Sequence, residues 1–103
     1  MDAFEDITPA SPQAGVLLLS LNRPEVRNAL RTQTLAEIAT ILDACTHDDA
    51  VRCVVITGDR QAFAAGADIR EMAALDMVGV MHNERPRHWA RIRRFPKPLI
   101  AAV

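Results

Sequence analysis

Two short apolar runs with an amphipathic segment between them constrain the fold of this chain most strongly. The runs are Val16–Leu21 and the β-branched Val51–Thr57. Between them, apolar residues follow the i, i+3, i+4, i+7 spacing of an amphipathic helix, at Leu35, Ile38, Ala39, Leu42 and Cys45. A strand, a helix and a strand in this order predict a βαβ unit, with parallel strands and a right-handed crossover. Near-continuous apolar runs further indicate strands buried on both faces, or nearly so.

The ends of these elements are predicted from local signals. FEDIT is expected to form a weak edge strand, with PASPQAG as the turn that follows it. Thr34 and Glu37 have the spacing of a capping box for the helix, and Thr32 is an alternative N-cap. The helix should end near THDD.

The second half of the chain predicts two more helices and a strand. Asp68 is a candidate N-cap for a short helix in DIREM, with Glu71 three residues later. Pro86 suits the first residue of a further helix that carries Trp89 and Ile92 on one face. Pro96 and Pro98 should end that helix, and LIAAV should start a third strand.

The stretch QAFAAGADIREM consists mostly of alanine and glycine up to Ala67, and charged residues follow from Asp68. The N–H groups at the start of a helix have no intrahelical partner, and the helix dipole there favours negative charge. A backbone without bulky side chains at that point can donate hydrogen bonds to an oxygen atom, as acyl chemistry requires. Tight packing between a strand and a helix is the alternative interpretation.

Composition excludes several classes of function. Hydrophobic residues make up 50% and charged residues 24%, as is usual for a soluble globular protein. The net charge of −1 favours neither a nucleic-acid nor a membrane partner, although six of the twelve basic residues lie in the 82–97 segment. That basic run is expected to be a solvated helix face, with attraction of an anionic ligand or contact with another subunit as alternatives. The absence of GxGxxG or GxxxxGK[ST] argues against a nucleotide-binding domain.

Other residues are expected to have structural roles. Cys45 and Cys53 should be buried reduced thiols, and the three histidines lack the spacing of metal ligands. The histidines should lie on the surface or at helix flanks, at positions 47, 82 and 88. Trp89 should contribute to the core or a pocket wall, and Asn28 should support the loop before the first helix. The acidic N-terminus has no apolar signal core, which predicts a cytoplasmic protein.

Three segments in the same order carry a resemblance to a known family. LNRPEVRNAL, VVITGDRQAFAAGADIREM and KPLIAAV resemble the N-terminal half of an enoyl-CoA hydratase of the crotonase superfamily. The resemblance implies an α/β fold, the N-terminal part of a crotonase-like (ClpP/crotonase) spiral of ββα units. Residues 1–103 would then be the front part of one domain, truncated before the second oxyanion-hole donor and the catalytic glutamates, and inactive alone.

The resemblance also implies a site. The family binds acyl-CoA thioesters and holds an enolate between two backbone N–H groups, the first of which matches Ala67. Glu25 departs from a position that is often basic in the family. Contacts with coenzyme A carry over to Val26, Arg27, Ala29, Ala65, Gly66, Ala67, Asp68, Ile69 and Arg70.

The same resemblance suggests cofactors, partners and rival reactions. It implies no metal or redox cofactor, with coenzyme A only as part of the substrate, and a homotrimer or hexamer for the full-length protein. ERPRHWARIRRFPKPLIAAV resembles hydratases of phenylacetate degradation. Isomerases, hydrolases, dehalogenases and decarboxylases share this front half, and a non-catalytic coenzyme A-binding fragment is a further alternative.

Overall fold

The computed structural model describes residues 4–74, 79 and 83–103, which form a four-stranded sheet with helices. A single 3₁₀ turn, Pro24–Val26, lies between the second strand and the first helix. The helices and strands whose bounds lie in the described residues are, in chain order, β1 (Ile7–Gln13), β2 (Gly15–Leu21), α1 (Thr32–Cys45), β3 (Val51–Thr57), α2 (Ile69–Ala73), α3 (Arg85–Arg93) and β4 (Leu99–Ala102).

The sheet has the strand order β1-β2-β3-β4. The predicted βαβ unit is confirmed, because β2 and β3 pair in parallel with Leu19 opposite Ile56. The third predicted strand is also confirmed, since β4 pairs in parallel with β3 and places Ala101 opposite Ile56. Within the described residues, β1 is the one strand that pairs antiparallel with its neighbour, β2.

The predicted turn at PASPQAG was wrong. Five of those seven residues belong to β1, and the chain turns at Ala14 before Gly15, whose φ is +84°. Pro9 and Pro12 are tolerated because β1 is an edge strand, where an N–H that faces away from the sheet is not needed. The register shifts between Ala10 and Gln13, in the interval that contains Pro12.

The core lies on one face of the sheet. Leu19, Leu21 and Val54 from the sheet pack with residues of α1 and with Ile92 of α3. The prediction that β2 is buried on both faces, or nearly so, holds fully for one face only, since Leu18 on the other face is half-buried. The physical reason is that α1 and α3 contribute to the cluster on the Leu19 face alone.

The predicted capping of α1 was also wrong. Thr34 and Glu37 both turn to Asp6, which lies just before β1 and is almost fully buried. The Thr34 hydroxyl donates to the Asp6 carboxylate (2.6 Å), and Glu37 accepts from the Asp6 backbone N–H (3.0 Å). Arg31 adds two hydrogen bonds to the same carboxylate, at 2.7 and 2.8 Å. Burial opposes ionisation of Asp6, but the hydrogen bonds from Arg31 and Thr34 outweigh it and lower the pKa of the carboxyl.

The helix α1 ends at Cys45, as THDD predicted. A lysine that is distant in the sequence binds the carbonyl oxygen of its last residue. The Lys97 ammonium donates to the carbonyl oxygens of Cys45 (2.7 Å), Asp48 (2.8 Å) and Val51 (2.6 Å). A cation is favourable there because the last carbonyls of a helix carry partial negative charge. Lys97 therefore connects the end of α1 to the start of β3.

The basic run is only in part a solvated face. Arg85 is buried, Arg91 contacts Asp43 at 2.7 Å, and Lys97 is bound as described above. Pro86 is the second residue of α3, one position later than predicted.

The prediction for His88 was wrong, because it is buried, while His47 is exposed as expected. Burial, then the charges of Arg91 and Arg87, lower the pKa of His88, which favours its neutral form. The prediction for His82 lies outside the described residues. Cys45 is buried and Cys53 half-buried, and both are free thiols. Among the described residues, no helix is both long and apolar enough to cross a membrane.

Candidate functional site

Two loops meet at the carboxyl ends of β2 and β3. The first loop, residues 22–31, joins β2 to α1, and the second loop, residues 58–68, joins β3 to α2. Parallel strands end at the same edge of a sheet, and α/β proteins bind ligands in the crevice outside that edge. The two loops therefore occupy the position where a site is expected.

Asn28 connects the loops from the inside. It is almost fully buried, with φ of 59°, and follows Arg27 with φ of 52°. Its side-chain oxygen accepts from the Arg23 N–H (2.8 Å), and its amide donates to the Ala62 carbonyl (3.0 Å). Asparagine tolerates the left-handed conformation better than most residues. Asn28 thus supports the loop before α1, as its sequence position predicted.

Leu30 pairs with the small-residue stretch through its main chain. The Leu30 N–H donates to the Gly66 carbonyl (2.7 Å), and its carbonyl accepts from the Asp68 N–H (3.0 Å). Ala67 lies between these bonds, as the central residue of a parallel bridge to Leu30. Two residues before Ala67, the Ala65 N–H donates to the Arg27 carbonyl (3.0 Å).

The Ala67 N–H is the donor that this pairing leaves free. Within the described part of the chain it makes no hydrogen bond, and Ala67 is exposed. In a trans peptide the C=O and N–H point in opposite directions, so an N–H that follows the Leu30-bonded Gly66 carbonyl points away from the first loop. Gly66 has φ of +104°, and a Cβ built there meets no atom within 4 Å, so the space beside it is open.

An ion pair between the two loops fixes the end of the second loop, at Asp68. The Arg23 guanidinium contacts the Asp68 carboxylate at 3.0 Å and the Ala29 carbonyl at 2.6 Å. The side chains of Arg23 and Asp68 are only 12% and 11% exposed. The hydrogen bond from Arg23 outweighs burial and lowers the pKa of Asp68, which stays ionised.

Asp68 is also the N-cap of α2, as the sequence predicted. Its carboxylate accepts from the N–H groups of Arg70 (3.0 Å) and Glu71 (3.3 Å). The capping-box role of Glu71 was wrong, because its carboxylate reaches α1 instead. There it accepts from the Thr32 N–H (2.8 and 3.0 Å) and from the Thr32 hydroxyl. Glu71 thus caps the helix for which Thr32 itself was the alternative N-cap.

The turn that begins the second loop requires glycine at its first position. A Cβ on Gly58 would lie 2.2 Å from the Ala62 carbonyl oxygen and 2.5 Å from that of Phe63. The neighbouring Asp59 carboxylate accepts from the N–H groups of Ala62 (3.0 Å) and Gln61 (2.9 Å), and these bonds lower its pKa. The loop therefore turns back on itself before the small residues begin.

An apolar cavity of about 300 Å³ lies beside the two loops. Trp89 forms part of its wall, as predicted for a pocket-wall residue, and is 37% exposed. Leu30 of the first loop and Phe63 of the second also line it. A larger cavity of about 880 Å³ lies at the opposite end of the sheet, near Gly15 and Val51. It is remote from the loops, so we place the candidate site at the smaller cavity.

The structure brings the predicted site residues of the two loops together. Arg27 and Ala65 are joined by their main chains, and Val26 and Ala29 lie in the same first loop. Ile69 and Arg70 begin α2 and are exposed, Ile69 to 81%.

The N–H, carbonyl and carboxylate of Asp68 are all occupied within the protein. Arg23, Leu30, Glu71 and Arg85 were missed as parts of the site. Arg23 could have been found, since it belongs to the quoted LNRP motif, but nothing local signals the others.

Known proteins resemble the chain along most of its length. Residues 11–103 match the family model described as Enoyl-CoA hydratase/isomerase. A protein of Escherichia coli named 2,3-dehydroadipyl-CoA hydratase is 48% identical over 93 residues, which are 90% of this chain and 36% of that protein. A probable enoyl-CoA hydratase of Rhizobium meliloti is 42% identical over 88% of this chain and 35% of its own length.

Solved structures agree with the fold. An enoyl-CoA hydratase subunit from Geobacillus kaustophilus superposes with a TM-score of 0.89 at 39% identity, over 97% of this chain and 38% of that one. An enoyl-CoA hydratase from Bacillus anthracis gives 0.84 at 31% identity, over 95% of this chain and 39% of that one. The chain thus spans a little over a third of these relatives and has the crotonase fold that was predicted. It belongs to the enoyl-CoA hydratase/isomerase family.

Proposed function

We propose that the complete protein is an enoyl-CoA hydratase, which adds water to the double bond of a 2-enoyl-CoA thioester. This chain would supply the front half of the coenzyme A site and one donor of the oxyanion hole. The observation that carries the proposal is the exposed Ala67 N–H, which has no partner among the described residues although both of its neighbours are bonded to Leu30. Membership of the hydratase/isomerase family supports the same activity.

The proposed role of Ala67 follows from the charge that develops during hydration. Attack of water at the β-carbon moves electron density onto the thioester oxygen, which becomes an enolate oxygen. A donor that is already fixed and aimed at this oxygen stabilises the transition state without reorganisation. The open space beside Gly66 allows the thioester to approach the main chain.

Coenzyme A would lie along both loops. We propose contacts with Val26, Arg27 and Ala29 of the first loop and with residues 65–70. Ala29 and Asp68 are buried, and the polar groups of Asp68 are bound within the protein, so these two would contribute by packing alone. Arg27 and Arg70 are exposed cations, so their attraction for the phosphates should weaken with added salt. The cavity beside Trp89 has the apolar lining that an acyl chain requires.

The remaining features of the complete enzyme are also proposals. We expect no metal or redox cofactor, a trimeric or hexameric assembly, a cytoplasmic location, and neither nucleic acid nor membrane as a partner. The general acid and base, which the family resemblance assigns to later residues, would lie outside these 103 residues, so this chain alone should not turn over substrate. The E. coli relative's name makes 2,3-dehydroadipyl-CoA a substrate worth testing beside crotonyl-CoA.

An isomerase is the second candidate, because the matched family includes both activities. The two are distinguished by incubating the complete protein with enoyl-CoA in ¹⁸O-labelled water. A hydratase incorporates one labelled oxygen into a 3-hydroxyacyl-CoA, whereas an isomerase moves the double bond and incorporates none. Release of free coenzyme A thiol would instead indicate a hydrolase. Absence of the labelled hydroxyacyl product with all enoyl-CoA chain lengths would refute the hydratase proposal.

A further inference from the structure

The Leu30 carbonyl is a junction of three segments. It accepts from the Asp68 N–H at 3.0 Å and from the Arg85 guanidinium at 2.7 Å. The Leu30 N–H holds the Gly66 carbonyl at the same time. Any movement of the Leu30 main chain therefore moves both neighbours of Ala67.

Arg85 is itself firmly placed. It is 7% exposed, it begins α3, and its backbone N–H donates to the Asn83 side chain at 3.0 Å. A buried guanidinium bound to a carbonyl gives a strong hydrogen bond, since its charge is little screened by water. Arg23 binds the carbonyl of Ala29, the residue that precedes Leu30. Two guanidinium groups thus hold two successive carbonyls of the first loop.

We propose that Arg85 is a positioning residue for the Ala67 N–H. It touches neither the thioester nor coenzyme A, and it acts through Leu30. It also connects the donor to α3, which carries Trp89 in the wall of the apolar cavity. Displacement of reacting groups by about 1 Å can reduce rates by roughly 100-fold. This inference rests on the proposed function, because it assigns Arg85 to the oxyanion hole.

The test compares Arg85→Met with Arg85→Lys in the complete protein. Methionine fills similar space without a donor, and kcat should fall roughly 10- to 100-fold with KM for the enoyl-CoA changed by less than about threefold. Lysine restores one charged donor and should recover most of the loss. Arg87→Met is the matched control, because Arg87 is exposed on the same helix and is paired only with Glu84 among the described residues. It should leave kcat unchanged.

A vibrational measurement separates positioning from a loss of folded protein. A fixed N–H that polarises the bound thioester lowers its carbonyl stretching frequency, and Arg85→Met should reduce that shift in the bound molecules. Binding stoichiometry corrects kcat for any inactive fraction. If Arg85→Met does not fold, Arg85→Gln, whose side chain is too short to reach Leu30, takes its place.

The inference is overturned if a folded variant keeps both the kcat per bound site and the carbonyl frequency of the unmodified protein. A fall in kcat that only matches a fall in binding stoichiometry also overturns it, because that result describes a structural role. These failures are distinct from failure of the proposed function, which would appear as no hydration and no thioester polarisation in the unmodified protein.

Discussion

Ala67→Pro in the complete enzyme isolates the proposed oxyanion donor. The ring removes the N–H, yet no described intramolecular hydrogen bond is lost, since Ala67 donates none. The Gly66 carbonyl and the Asp68 N–H, which hold the loop to Leu30, are retained. Gly66 also lacks the Cβ with which a following proline ring would collide.

The expected loss follows from the chemistry of the donor. Removal of one oxyanion-hole hydrogen bond costs about 2.7–4 kcal/mol of transition-state stabilisation, or roughly 100- to 1,000-fold in rate. The N–H interacts more strongly with the enolate oxygen than with the neutral thioester, so kcat and kcat/KM should fall together while KM changes little. A donor supplied by the rest of the protein would leave residual activity.

The assay is hydration of crotonyl-CoA, followed by loss of the absorbance of the conjugated thioester, with thermal melts of each variant. Ala67→Val keeps the N–H but adds bulk, so it should act largely on KM. Ala65→Pro removes an N–H that is bonded to Arg27, so it should lower the melting temperature, unlike Ala67→Pro. A folded Ala67→Pro enzyme with unchanged kcat and kcat/KM would show that this N–H does not stabilise the enolate.

Three further predictions concern stability. Lys97→Met removes three hydrogen bonds at the end of α1 and should destabilise the protein by roughly 1.5–3 kcal/mol in denaturant titrations. Arg93→Met removes an exposed charge four residues earlier in the chain and should change the stability little. Equal effects of the two substitutions would contradict this. Gly58→Ala must displace the backbone at residues 62 and 63, at a cost of roughly 1–3 kcal/mol, and a melting temperature equal to that of the unmodified protein would refute the close contact. The lowered pKa of Asp6 contributes stability above its ordinary value of 3.8, which is lost as pH falls through the lower folded-state value. Below about pH 3.8, the free energy of unfolding of Asp6→Asn should therefore depend less on pH than that of the unmodified protein. An unchanged slope would contradict the assignment.

Periodicity and local signals were sufficient to predict the strands and the helix of the βαβ unit. The i, i+4 spacing of α1 reflects burial on one side of the helix, and the apolar runs marked β2 and β3 as strands without showing which of their faces is the more buried. Asp68 was recognisable as an N-cap because its partners are two and three residues away. The prolines of β1 led to the wrong prediction of a turn, because proline is tolerated in an edge strand, and whether a strand lies at a sheet edge depends on its neighbours.

The sequence by itself determined the parallel pairing of β2 with β3, the small-residue loop that follows β3 and, through three motifs, the family. Only the tertiary structure decided how that loop is held. Arg85 and Leu30 are 55 residues apart, Thr32 and Glu71 are 39 apart, and Arg23 and Asp68 are 45 apart. Such contacts leave no local periodicity, because a charged side chain can bind a main-chain group or a carboxylate wherever the fold brings the two together. The orientation of the Ala67 N–H depends on these distant partners, and it therefore belongs to the fold as a whole.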